Sequence, residues 1–419
     1  MSRSSRKKTT LQQTFAALKH RNFRLFWSGQ AISLIGTWMQ NIAQSWLVLE
    51  LTKSSAFWLG VVSALQFLPM MLFSLHAGTL IDRFPKKKML LFTQTASAIL
   101  ALVLALDVQL HTAALWHVLV IATLLGVINT LDMPTRQAFM IELVGKEDLM
   151  NGIILNSSIF NAARIVGPSL AGFFIAKLGI APCFFLNAIS FVPVIAGIAM
   201  IRVDSSSPSP EIPLNNSVVR QEIKEGLRYV FHTPLILACL ALLAVINIFA
   251  FNFNVLIPLY ARNVFKIGAQ GFGLLMGANG IGAVLGSIIL ASQSGNRTPN
   301  ARILLLSSTA MCLFELAIVP SKIVMIADVL LIGVGFSMIA FTTSVNSLIQ
   351  VHTPNHLRGR VMSIYTLVFS GLSPIGSFLA GSAAHLWSAP AALGLGAVIS
   401  LGFIGVSILK HPILIKKIS

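Results

Sequence analysis

Twelve apolar stretches of roughly 20 residues each, divided by short polar breaks, constrain this chain more than any other feature in it. They run over 25–49, 57–80, 89–106, 115–131, 151–175, 182–201, 234–260, 271–292, 303–319, 323–345, 361–385 and 391–409. As helices, each is long enough to cross about 30 Å of hydrocarbon. Hydrophobic residues make up 55% of the chain and charged residues 10%, more apolar surface than a soluble fold of this length can hide. The expected fold is an all-α integral membrane protein of 12 transmembrane helices.

The net charge of +17 would suit nucleic acid if the cations shared one globular face. They lie instead in the breaks, so nucleic acid is excluded as a partner. With the N-terminus cytoplasmic, 24 of the 30 Lys and Arg residues fall in inner segments and 5 in outer ones, and Arg164 lies within a span. The positive-inside rule then puts both termini in the cytoplasm. No short apolar core with a small-residue cleavage site opens the chain, so the first stretch reads as a permanent span. Cys183, Cys239 and Cys312 each lie in an apolar run, which fits neither a disulfide framework nor a metal site.

The longest break divides the chain into a basic N-terminal segment (1–24), a first six-helix half (25–201), a linker (202–233), a second half (234–409) and a tail (410–419). Val219, Ile223, Leu227 and Phe231 give the linker one apolar helical face, as in a helix lying under the bundle. The halves repeat: Leu170-Ala171-Gly172 recurs as Leu379-Ala380-Gly381, and Gly167-Pro168 as Ser373-Pro374. Two pseudo-symmetric halves place a binding site near the midplane, between them.

Gly78 to Lys88 forms a tight basic hairpin containing Gly78, Asp82, Arg83 and three lysines. Further on stand Leu131-Asp132-Met133-Pro134-Thr135-Arg136, Arg164-Ile165-Val166-Gly167-Pro168-Ser169-Leu170-Ala171-Gly172, and His352-Thr353-Pro354 through Arg358-Gly359-Arg360. In order and position these resemble the major facilitator superfamily, in the exporter branch that includes the enterobactin exporter and macrolide-efflux type drug–proton antiporters. The hairpin departs from the family pattern at Pro85 and Lys86, where glycine and arginine are common.

The resemblance implies roles. Gly78, Asp82 and Arg83 would form a latch at the cytoplasmic face, with Lys86–Lys88 orienting the loop and touching anionic lipid. Gly167, Pro168 and Gly172 match an antiporter motif linked to export. The first, fourth, seventh and tenth spans would line the cavity, which makes Gln30, Thr37, Asn41 and Gln44, on one helical stripe, and Asn247 and Asn252 of the seventh span its candidate lining. Interhelical hydrogen bonding is the alternative for each of them. Ionisable groups inside spans are few and mark function or costly structure. Asp328 is expected to bind a proton and pair with Arg164 in one conformation, with Glu315 as a further buried charge; a static ion pair or a water-exposed vestibule carboxylate is the alternative.

No nucleotide-binding loop is present, and no catalytic constellation is evident. The expected activity is non-enzymatic: proton-coupled export of an amphipathic small organic molecule such as a siderophore, by alternating access, at the inner membrane. Expected partners are the small-molecule substrate, protons and membrane lipids, with no cofactor beyond the proton-motive force and the oligomeric state open. A multidrug or macrolide pump, a lysophospholipid flippase and a non-transporting scaffold or sensor are the alternatives.

Overall fold

A computed structural model of the chain describes residues 16–145, 147–202, 216–293 and 301–410; the side chains of 74–80, 82, 83, 216–223, 291–293 and 355 are outside that description. The described residues form helices joined by short turns. The first six are α1 (Arg21–Leu51), α2 (Ala56–Arg83), α3 (Lys86–Gln109), α4 (Leu115–Val144), α5 (Leu149–Leu178) and α6 (Ala181–Met200). The linker helix α7 (Asn216–His232) leads into α8 (Pro234–Phe249), α9 (Phe253–Leu259) and α10 (Ala269–Gln293). Then follow α11 (Ala301–Ile318), α12 (Val324–His352), α13 (Asn355–Gly371), α14 (Ser373–Leu386) and α15 (Ala389–Lys410).

Eleven helical stretches among the described residues are long and apolar enough to cross a membrane, counting α8–α9 and α13–α14 as one crossing each. The twelfth crossing is α1, whose 31 residues are long enough but too polar to join that set. Its polarity comes from the stripe that includes Gln30, Ser33, Gln40 and Gln44, all buried inside the bundle. One end of the bundle, called basal here, carries Arg21 and Lys410; the other is distal.

Two crossings of the second half are broken. Between α8 and α9 the chain unwinds at Ala250–Asn252, and the Asn252 side chain donates to the Ile248 carbonyl at 2.7 Å. Between α13 and α14 it breaks at Leu372, ahead of Pro374, which cannot donate to the preceding turn. Asn247 ties the two breaks together. Its Nδ2 donates to the Phe369 carbonyl at 2.5 Å, and its Oδ1 accepts from Ser373 Oγ at 3.4 Å. After α9 comes one π-type turn, in which Phe265 N–H donates to the Tyr260 carbonyl at 2.9 Å. Such turns cluster at functional positions.

The linker contains a helix that packs against the second half. It docks through Gly226, Tyr229 and Val230: Tyr229 donates to the His352 carbonyl at 2.9 Å, and Glu225 pairs with Arg360 of α13. Leu227 and Phe231, the described part of the apolar stripe, are exposed instead. Two of the hairpin lysines are also engaged within the protein. Lys86 pairs with Glu142 at 2.8 Å, and Lys87 donates to the carbonyls of Ala199 and Ile201 at the C-terminal end of α6, where the helix dipole favours a cation. Lys88 is exposed.

Candidate functional site

The two halves meet closely toward the distal end. Gly60 of α2 lies against Gly381 of α14, and Gly172 of α5 against Gln270 of α10; a Cβ on Gly172 would lie 2.9 Å from the Gln270 Cα. Small residues let helices approach closely where no water drives association. Basal to Arg164 the same face of α5 continues through Ser158, Ser157 and Ile154, and these are exposed. The halves are thus joined distally, and basal to Arg164 this face of α5 is exposed.

Beneath the distal closure lies a small cleft shared by both halves. Asn41, Gln44 and Ser45 of α1 line it with Gln66 of α2 and Asn254 of α9. Trp38, Phe67, Phe272 and Met276 supply its apolar wall. Gln66 Nε2 stands 3.5 Å from Asn41 Oδ1, and Gln44 Oε1 has no hydrogen-bond partner among the described residues. A few convergent polar groups on an apolar wall are what a small-molecule site needs for orientation and affinity.

The cleft is roofed by an aromatic and ionic cap. The Trp46 ring of α1 stacks on Phe272 of α10, with ring centroids 6.2 Å apart. The Arg262 guanidinium lies 5.5 Å from the centre of the same indole, while the indole N–H donates to Glu50 at 2.9 Å. Cation–π contact and ring stacking here join first-half residues to second-half ones. Nothing in sequence spacing links Trp46 to Arg262.

Other expected lining residues lie elsewhere. Gln30 and Thr37 are on the same stripe of α1 but basal to the cleft; Gln30 is buried, and Thr37 donates to the Ser33 carbonyl at 2.9 Å. Asn247 and Asn252 are buried in the brace between the two helix breaks and do not line the cleft. Asn254, two residues past Asn252 and beyond the break, does. Gly167 lets α5 lie on α1, since a Cβ there would come within 2.5 Å of Trp38 Cβ. Pro168 and Gly172 form the neighbouring contact with α10. Gly78, Asp82 and Arg83 belong to α2, but their side chains are outside the described residues.

The ionisable groups are distributed differently from the expected pairing. Arg164 Nη2 donates to Asn279 Oδ1 of α10 at 2.8 Å and lies 3.9 Å from the Met338 sulfur of α12. Asp328 is ten residues from Met338 along α12, about 15 Å at the helical rise, so the Arg164–Asp328 pair does not form in this conformation. Asp328 Oδ1 is buried without a hydrogen-bond partner among the described residues. Glu315 is fully buried, and neither carboxyl oxygen has a hydrogen-bond partner among the described residues. It opens onto a small apolar cavity inside the second half, lined by Phe253, Ile257, Tyr260, Leu275 and Leu331. The Tyr260 hydroxyl, in the π-type turn, is likewise buried and unpartnered.

Within the segment Leu131–Arg136, which carries part of the family resemblance, lies a buried charge cluster of the first half. Asp132 of α4 pairs with Arg136, and its Oδ1 accepts from Thr93 Oγ1 at 2.6 Å and Gln94 Nε2 at 2.7 Å. The i, i+4 spacing of Asp132 and Arg136 was the available signal.

A family profile described as "Transmembrane secretion effector" matches residues 12–416. The chain belongs to this family of the major facilitator superfamily. This multi-pass transporter is similar to the Staphyloferrin A transporter of Staphylococcus aureus, with 27% identity over 365 residues, 85% of this chain and 88% of that protein. It is also similar to the multidrug efflux pump Tap of Mycolicibacterium fortuitum, with 27% identity over 360 residues, 81% and 83% of the two chains. In fold, the transporter resembles a crystal structure of a POT family transporter in complex with 5-aminolevulinic acid. The TM-score there is 0.73 at 10% identity, covering 94% of this chain and 97% of that one.

Proposed function

We propose that this transporter exports an amphipathic small organic molecule, with a siderophore first, by alternating access coupled to protons. The observation that carries the reading is the cleft between the halves, closed distally through Trp46–Phe272 and Gly60–Gly381, with an exposed face of α5 on its basal side. A cargo site under one closed gate is one half-cycle of alternating access. The 24-to-5 bias of cations supports a cytoplasmic basal end, which makes this the state that loads from the cytoplasm. Both termini then lie in the cytoplasm and the bundle in the inner membrane, with domain limits at the linker 202–233. The similarity to the Staphyloferrin A transporter supports siderophore cargo.

Glu315 is the first candidate for the proton carrier and Asp328 the second. An acid enclosed by apolar walls tolerates a charge only when its surroundings rearrange to supply a counter-charge or water. The π-type turn and the break at Ala250–Asn252 give the crossing beside Glu315 a means of rearranging. A membrane potential of 100 mV contributes about 2.3 kcal/mol per charge, which supports a cargo ratio of about 50 per proton. The latch at Gly78, Asp82 and Arg83 remains a proposal on resemblance.

The test is uptake of metal-free siderophore into energised everted vesicles, with and without an uncoupler. Uncoupler-sensitive uptake into the vesicles supports the reading; equal movement with vector-control membranes rejects it. The aromatic wall of Trp38, Phe67 and Phe272, with the similarity to Tap, favours a hydrophobic drug as the second cargo, assayed in the same vesicles.

A further inference from the structure

We infer that Arg164, with Trp38 and Asn279, forms an anion-recognising subsite of the cleft, and that the cargo is an aromatic or amphipathic molecule bearing a carboxylate or similar acidic group. The inference rests on the reading of the cleft as the cargo site and adds the chemical feature that the cargo must carry.

Arg164 lies within the bundle, where an unpaired cation is costly and persists only with a function or a partner. Its partners in the protein are neutral. Nη2 contacts the Asn279 amide oxygen and the Met338 thioether, and the guanidinium carbon lies 5.9 Å from the centre of the Trp38 ring. No carboxylate forms an ion pair with it among the described residues, and Nε and Nη1 make no hydrogen bond there. An aspartate at 279 would have the shape of the asparagine and would neutralise the cation. The amide leaves the charge available.

Two neighbours orient a ligand at this cation. Trp38 lines the cleft and lies against the guanidinium, so an aromatic ring stacked in the cleft would bring its acidic group to Nε and Nη1. Asn279, 1% exposed, keeps a buried Nδ2 with no hydrogen-bond partner among the described residues, beside an oxygen already used by Arg164. A planar fork suits carboxylate oxygens in a way a lysine ammonium does not. The position also links loading to movement. Arg164 is on α5 and Asn279 on α10, so an acidic cargo would engage a donor that spans the seam between the halves.

The test is equilibrium binding of tritiated 1-naphthoate to the full-length purified protein, with neutral 1-naphthamide as competitor. The wild type should prefer the acid by about tenfold or more, as a charged hydrogen bond implies. Arg164→Gln should lose that preference without weakening the amide, and Arg164→Lys should keep part of it. If Arg164→Gln fails to fold, Asn279→Asp answers the same question with the arginine retained, because its carboxylate occupies the cation from within. Equal binding of acid and amide by wild type, no binding of either, or an unchanged preference in Asn279→Asp overturns the inference. Loss of uncoupler-sensitive efflux bears on the transport reading separately, since the binding preference is measured without a gradient.

Discussion

Gly60 and Gly381 touch across the two halves: a Cβ built on Gly60 would lie 2.9 Å from the Gly381 Cα, and one built on Gly381 2.7 Å from the Gly60 Cα. Both neighbours are backbone, which cannot swing aside as a flexible side chain could. Gly381→Val should therefore hold the distal end apart. An overpacked contact costs typically about 1–3 kcal/mol, enough to shift the closure equilibrium about 5- to 150-fold. A cysteine placed at Ser63, in the cleft, should react with an impermeant maleimide from outside only in the valine variant. Equal labelling in both backgrounds would argue that the glycines do not set the gate.

Glu315→Gln keeps the size of the side chain and removes its charge. Wild-type vesicles at 100 mV should sustain a cargo gradient of up to about 50-fold per proton, and the glutamine variant should only equilibrate cargo. Asp328→Asn is the comparison. If the gradient survives in Glu315→Gln and collapses in Asp328→Asn, the proton carrier is Asp328.

Asp132→Asn leaves Arg136 with a neutral neighbour in a half-buried site. Removing one partner of a buried pair costs about 3–5 kcal/mol, whereas replacing both is far milder. The single variant should unfold at a clearly lower temperature, and Asp132→Asn with Arg136→Gln should recover most of the loss. A thiol-reactive dye reads this directly, because Cys183, Cys239 and Cys312 are all buried and react only on unfolding. Matching losses in single and double variants would show that the pair is not a unit.

Asn247 and Asn254 should separate stability from recognition. Asn247→Ala strands the Phe369 carbonyl at the helix break and should destabilise by about 1–3 kcal/mol. Asn254→Ala removes one exposed group from the cleft wall and should change cargo affinity by about 2- to 10-fold at constant stability. The reverse pattern would place the cargo against Asn247.

The spans were legible because hydropathy over a membrane-length window is a strong signal, and the interruption at 202–233 marked the two halves. The stripe on α1 was legible too, since Asn41 and Gln44 share a helical phase and α1 is unbroken. Phase failed in the seventh crossing. The unwinding at Ala250–Asn252 resets the rotation, so Asn247 faces the second half's own brace while Asn254 faces the cleft. The expected Arg164–Asp328 pair is not formed in this conformation. Opposite charges in spans suggest a pair, but depth along a helix says little about which neighbour a side chain meets. Arg164 meets the Asn279 amide of α10 and Met338, which is ten residues from Asp328 along α12. The cap of Trp46, Arg262 and Phe272 depends on three distant segments meeting, which no local pattern records.

The polarity of α1 also bears on how the protein is made. α1 leads the other crossings in the chain, yet it alone falls short of the apolar character that the rest possess. Insertion by the translocon is governed by the summed transfer free energy of each emerging segment. A chain ending at residue 55 should therefore insert poorly, while one extended through α2, and better through α6 with its Asn187 side chain for Gln40, should be retained. Stalling translation at successive lengths and scoring glycosylation of an engineered acceptor site would reveal the order. The residues that give the cleft its chemistry would then also make the opening helix wait in the membrane for its later neighbours.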